Sequence, residues 1–215
     1  MKQLENSIFH FIETMNKYPP IESPVVKKGI LRYRQESLKL HIDEKIHLSP
    51  ELKYFYEHCE IICDVRHDGH ELKSMGIDLG NAPLSLWSSK NLVLRQDGFR
   101  WIGMDRTENP NWNPCWLVIA DMNDDPIVVV TDKESSPVMA SYEGGALFPI
   151  ADSLSDFLDY LSTTIELIQE EYNGEIIHEE SCELLEGFTE HLKEKLVKIN
   201  HTEEPVENFI NYLYG

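Results

Sequence analysis

The chain has 215 residues, 41% hydrophobic and 10% aromatic, which is enough apolar side chain for an ordinary core and too much for global disorder. Its formal net charge is −19. That balance excludes nucleic acid and an anionic membrane surface as partners, because phosphate binding needs clustered Lys and Arg, and it permits a basic protein partner drawn in by charge.

No stretch has the roughly 18 consecutive apolar residues of a membrane span. The start, MKQLENSIFHF, lacks the apolar core and small-residue cleavage site of a signal peptide. Cys59, Cys63, Cys115 and Cys182 are therefore expected as free thiols in a reducing cytoplasm.

Leu4, Ile8, Phe11, Ile12 and Met15 recur at helical spacing and predict a first helix, stopped by Pro19-Pro20. VVKKGILRYR (25–34) reads as a strand pair around Gly29. Ser49-Pro50 is a helix start, a capping hydroxyl followed by proline at the first helical position. Leu52, Phe55, Tyr56 and Cys59 then line its apolar face. EIICDV (60–65) reads as a strand. Residues 66–90, punctuated by Gly69, Gly76, Gly80 and Pro83, read as loop. Residues 91–102 admit two readings: a hairpin turning at Asp97-Gly98, or a helix ending at Gly98 in a left-handed cap.

CWLVIAD (115–121) and PIVVVTD (126–132) are near-continuous apolar strands, of the kind covered on both faces, joined by an acidic turn. A third strand, led by Pro137, follows. A helix opens at Ser153, with Asp156 completing a capping-box variant. Leu154, Phe157, Leu158, Leu161, Ile165 and Ile168 keep its helical period, so it should pack across the sheet. Residues 166–215 then hold 13 Glu against 3 Lys, a net −10. Even so, Leu185, Phe188, Leu192, Leu196 and Ile199 form one helical stripe, and Val206, Phe209, Ile210 and Leu213 form another after Pro205. Both stripes need an apolar surface to cover.

Several constellations could carry chemistry. Cys59, Cys63, His67 and His70 fit a zinc hook loosely, but both cysteines fall where a small hydrophobe is wanted, so no metal is expected there. Asp121, Asn123, Asp125 and Asp132 suggest a calcium loop, yet the sixth and twelfth positions are Pro126 and Asp132 where Gly and Glu belong. There is no nucleophile elbow, metalloprotease helix, phosphate loop or dinucleotide glycine pattern. Gly144-Gly145 reads as a turn, and His178-Glu179-Glu180 as a solvated segment. No catalytic residue is therefore assigned. Among the clustered tryptophans, Trp116 leads a strand and reads as core; Trp112, between Asn111 and Asn113, reads as the exposed one. Asp105, Glu108, Asp121, Asp124 and Asp125 would form an acidic rim around it.

The order of pieces over 112–161 resembles the Smi/Knr family of the SUKH superfamily: a Trp-led strand, an acidic turn, a strand, a Pro-led strand, then the helix of IADSLSDFLDYL. Matching positions are Gly98, Trp116, Ile119, Asp121 to Asp125, Pro137, Ile150, Ala151, Ser153, Phe157 and Leu158. LSPELKYFYEHC (48–59) is similar to the family's first core helix, and NLVLRQDGF (91–99) to its segment before a Gly-aromatic pair, which favours the helix reading there. The Gly-Asp usual in the family's central turn is replaced by Asp124-Asp125-Pro126.

The resemblance implies an α+β fold with a central, mostly antiparallel sheet and packed helices over residues 1–168, followed by an acidic helical extension over 169–215. It also implies a role in binding, with no enzyme chemistry and no cofactor. Many bacterial members look like immunity proteins that neutralise a toxin, and fungal ones resemble cell-wall synthesis regulators. The expectation is thus an immunity protein of a bacterial polymorphic or contact-dependent toxin system. It would cap a basic domain, such as a nuclease, through Trp112, Asp121, Asp124 and Asp125. The alternative is an intracellular regulator or scaffold whose tail helices dock a partner helix or a second copy.

Overall fold

The computed structural model of the chain describes residues 2–18, 26–40, 42–81, 83–200 and 202–215. In chain order the elements are α1 (Lys2–Lys17), β1 (Val26–Lys27), β2 (Ile30–Tyr33), α2 (Pro50–His58), β3 (Cys59–Ile62), β4 (Val65–Arg66), β5 (Ser74–Asp78) and β6 (Pro83–Trp87). A 3-10 turn at Ser89–Asn91 leads into α3 (Leu92–Arg95), followed by β7 (Trp101–Ile102) and β8 (Thr107–Glu108). The rest are β9 (Trp116–Met122), β10 (Asp125–Val130), β11 (Val138–Ala140), β12 (Phe148–Ala151), α4 (Leu154–Glu171), α5 (Phe188–Asn200) and α6 (Glu203–Tyr214).

Among the described residues, one six-stranded sheet runs in the order β12-β11-β10-β9-β6-β5, every neighbouring pair antiparallel. This is the α+β architecture expected. The centre is β9 and β10, whose apolar runs Leu117–Ala120 and Ile127–Val129 are buried throughout because the sheet is covered on both faces. Helix α4 starts as its sequence dictates: Ser153 Oγ accepts from Asp156 N at 3.0 Å and donates to Asp156 Oδ2 at 2.7 Å. Ser49 likewise caps α2 by accepting from Leu52 N at 3.2 Å, worth about 1 kcal/mol. Helix α1 lays Leu4, Ile8, Phe11, Ile12 and Met15 into the core and packs along α4. The Pro19-Pro20 stop lies outside the described residues.

Three expectations need correction. Residues 66–90 are not loop: β5 and β6 form a hairpin that extends the main sheet, burying Met75, Ile77, Leu84 and Leu86 on alternate positions. The strands around Gly29 do not pair with each other; β1 pairs β4 and β2 pairs β3. EIICDV is split, because Asp64 turns its carboxylate into the structure. Its Oδ1 accepts from Gly29 N at 2.5 Å and its Oδ2 from Gly76 N at 3.1 Å, on the outer side of β5. A side chain at Gly29 would come within 2.4 Å of Ile62 O, which explains the glycine. At the opposite side of the sheet, Asn208 Nδ2 donates to Pro149 O of β12 at 2.9 Å.

Segment 91–102 is the helix reading in shortened form. Helix α3 gives way at Gln96, and Gly98 takes the left-handed conformation at φ +91°, its N–H bonded to Trp101 O at 2.7 Å. The tail stripes are both in use: Phe188, Leu192, Leu196, Val206, Phe209, Ile210 and Leu213 belong to the same apolar core as the sheet, with α6 on β12 and α5 between α4 and α6.

Candidate partner-binding site

The acidic turn is a two-residue hairpin. Asn123 and Asp124 both have positive φ, 53° and 71°, which makes the type I′ turn that matches strand twist. Asn and Asp tolerate that region best among side-chain-bearing residues. The carboxylates therefore leave the turn in different directions. The Asp124 side chain is 95% exposed. Asp125 Oδ1 accepts from Glu143 N at 2.5 Å, and its carbonyl accepts from Tyr212 Oη at 2.7 Å, tying the turn to α6. Asp132 lies beyond the far end of β10.

Asp121 faces inward and is buried. It accepts from Trp87 Nε1 at 2.5 Å and pairs with Arg95 Nε at 2.9 Å. Burial pushes its carboxyl above the usual carboxylate range, against the opposing pull of the indole and the guanidinium. Of the five carboxylates the sequence grouped around Trp112, Asp105, Glu108 and Asp124 are exposed, Asp125 is half-buried and Asp121 is buried and faces inward.

Arg95 organises the surroundings. Its side chain is 12% exposed. The guanidinium lies 5.5 Å from the Trp87 ring and 5.0 Å from the Phe99 ring, and Nη2 donates to Asp124 O at 3.2 Å. The aromatic series continues outward: Phe99 to Trp112 at 5.5 Å, and Trp112 edge-on to Trp116 at 5.5 Å. Trp112 is half-buried, and its Nε1 donates to Trp116 O at 3.0 Å, which fixes the ring. Trp116 is half-buried too, so the fully covered tryptophan of the group is Trp101. Arg95 thus joins Asp121 to Asp124, and Phe99 joins that pair to Trp112. Arg95, Phe99 and Trp87 were missed by sequence reasoning, because a lone Arg between apolar residues has no signature in one sequence.

The other constellations sit elsewhere. Cys59 and Cys63 are buried, and burial pushes the Cys59 thiol up to about 12, so it keeps its proton. His67 and His70 are exposed beyond β4. Among the described residues, no three His, Cys, Asp or Glu side chains are grouped to hold a metal ion. His178, Glu179 and Glu180 are exposed in the turn between α4 and α5. No helix among the described residues is long and apolar enough to cross a membrane.

Comparison with known proteins gives one family. Residues 41–160 match the SMI1 / KNR4 family (SUKH-1). Neither the curated proteins nor the solved structures give a match.

Proposed function

The chain belongs to the SMI1 / KNR4 family (SUKH-1), and from that premise we propose that it works by binding another protein, as an immunity protein that caps a basic toxin domain. The family is consistent with immunity-type and regulatory roles. The immunity reading is carried by Trp112: a large, half-buried ring held by its own hydrogen bond and by two aromatic neighbours, beside an acidic turn. Interface anchors are typically aromatic and lose least when they are fixed before contact. Around it, Arg95 is paired with Asp121 and also lies 3.6 Å from Asp124, and Arg106 is paired with Asp97, so the carboxylates that face solvent, Asp124, Glu143 and Asp105, outnumber the cations facing it. That surplus suits a basic groove of the kind nucleases use to hold phosphate. The regulator reading would place its docking surface on tail helices, whose apolar stripes are covered here.

The test is surface-plasmon kinetics against basic toxin domains encoded beside this chain, at several salt concentrations. The on-rate should fall steeply as salt rises through the range where the Debye length is about 10 Å. Replacing Asp124 and Glu143 by Asn and Gln should slow association, and Trp112→Ala should speed dissociation. An on-rate indifferent to salt and to both changes would falsify this placement of the interface.

A further inference from the structure

Strands β7 and β8 form a short hairpin, pairing Trp101 with Glu108 and Ile102 with Thr107. Two-stranded hairpins are marginal alone, and this one is fixed at its base. Trp101 is buried, with the Arg100 guanidinium 5.3 Å and the Arg106 guanidinium 5.5 Å from its ring. Arg106 Nη2 bonds Asp97 at 2.6 Å, and Asn109 N bonds Arg100 O at 2.7 Å. The tip is the opposite. Met104 is fully exposed and Ile102 is 43% exposed, side by side with Asp105, also exposed. Single exposed apolar residues are ordinary. Two of them on a turn with an anchored base, contributing nothing to the core, are a different matter.

We propose that the 101–108 hairpin is a docking finger. Met104 and Ile102 enter an apolar pocket on a protein partner, and Lys or Arg side chains rim that pocket. The charge arrangement commits the partner to this chemistry. Arg106 is turned back to Asp97, and Arg100 is covered and lies 3.6 Å from Glu108, which leaves Asp105 as the outward charge of the tip. Methionine is unbranched and polarizable, so it fills irregular pockets well. The fixed base reduces the ordering cost of binding. The hairpin also leads straight to the aromatic series: Asn109 Nδ2 bonds Phe99 O at 2.9 Å, and Trp112 N bonds Asn109 O at 3.1 Å. Finger and Trp112 are thus neighbouring parts of one surface. The inference rests on the binding role proposed above.

The experiment installs a photoreactive side chain in the full chain, at position 104, 112 or 124 in separate preparations, with position 179 as a distant control. Each is crosslinked in the native cell, and the captured partner is then purified. Crosslinks from 104 to an apolar segment flanked by Lys or Arg are expected. Met104→Asp should weaken the purified complex by about tenfold or more, the effect of losing an interface anchor. Its melting temperature should match the unmodified chain, because Met104 packs on nothing. A partner that crosslinks from 112 or 124 but not from 104, or that binds Met104→Asp normally, overturns the finger and leaves the binding role standing. Crosslinks from 104 only to a second copy of this chain also overturn it. Silence from 104, 112 and 124 together overturns both readings.

Discussion

Gln96 pairs with the backbone of Val118 as a neighbouring strand would: Oε1 accepts from Val118 N at 3.0 Å and Nε2 donates to Val118 O at 2.9 Å. The paired register of β6 with β9 covers Ser85 with Asp121 and Leu86 with Ala120, so a buried amide takes over where β6 leaves. Gln96→Ala should leave a buried donor and acceptor unsatisfied at Val118. A loss of about 2 kcal/mol or more in urea unfolding is expected. A loss below about 0.5 kcal/mol would mean that water replaces the amide.

Asp121 and Asp124 look alike in the sequence and should behave oppositely. Asp121→Asn leaves Arg95 largely buried with its main counter-charge gone, which should cost on the order of 3 kcal/mol. Asp124→Asn alters an exposed carboxylate and should stay within about 0.5 kcal/mol. Thermal melts of the two variants side by side decide this, and equal melting temperatures would refute the assignment.

His10 lies on α1 between two carboxylates of α4: Nδ1 is 3.4 Å from Asp159 and Nε2 is 3.0 Å from Glu166. The hydrogen bond to Asp159, reinforced by Glu166, raises its pKa from 6.5 to about 9. A histidine whose folded pKa exceeds its unfolded one stabilises fully below the unfolded value and loses that contribution as pH rises through the folded one. Stability should therefore decline between about pH 6.5 and 9. Because the ring is 39% exposed, solvent screening holds the effect to about 1 kcal/mol. His10→Gln should flatten this decline; NMR titration of the ring, giving an ordinary midpoint, would count against it.

The tail gives the fourth prediction. Phe209 is buried edge-on to Tyr160 at 5.4 Å and to Phe157 at 6.3 Å. Phe209→Ala should cost about 3–5 kcal/mol, the usual loss for a covered aromatic ring. We propose that removal of residues 181–215 uncovers α4 and β12 and yields an insoluble chain. A truncated form that stays monodisperse at the original melting temperature would show the tail to be separable.

The parts legible in the sequence are those with strong local signals. The stripe of α1, the Ser49 and Ser153 caps and the β9–β10 runs all appear where their residues demand. The β5–β6 hairpin did carry a signal, Met75 and Ile77 alternating and then Leu84 and Leu86. Gly76, Gly80 and Pro83 outweighed it, though Gly76 sits within the strand, where a side chain would press on the Asp64 carboxylate at 3.3 Å. In the site, Asp124 was legible as a surface charge, but the contrast of an exposed Trp112 with a core Trp116 was not, since both rings are half-buried against each other. The inward turn of Asp121 was not, because a strand covered on both faces has no alternation to tell one side from the other. Nor does any local pattern mark Arg95 as the link between them, since its partners lie on three other segments.

The two polar caps on the sheet, Asp64 against β5 and Asn208 against β12, have a consequence for how this protein meets others. Exposed strand edges are templates for strand addition, the shared route to domain swapping and fibrillar aggregation. Here a carboxylate occupies the Gly76 N–H on one edge. On the other, an amide occupies the Pro149 carbonyl, at a residue that has no N–H to offer. Recruitment of a foreign strand to the six-stranded sheet thus requires one cap to open first. Aggregation should accordingly start from locally opened molecules and not from the native surface, and specific recognition is left to loops and side chains.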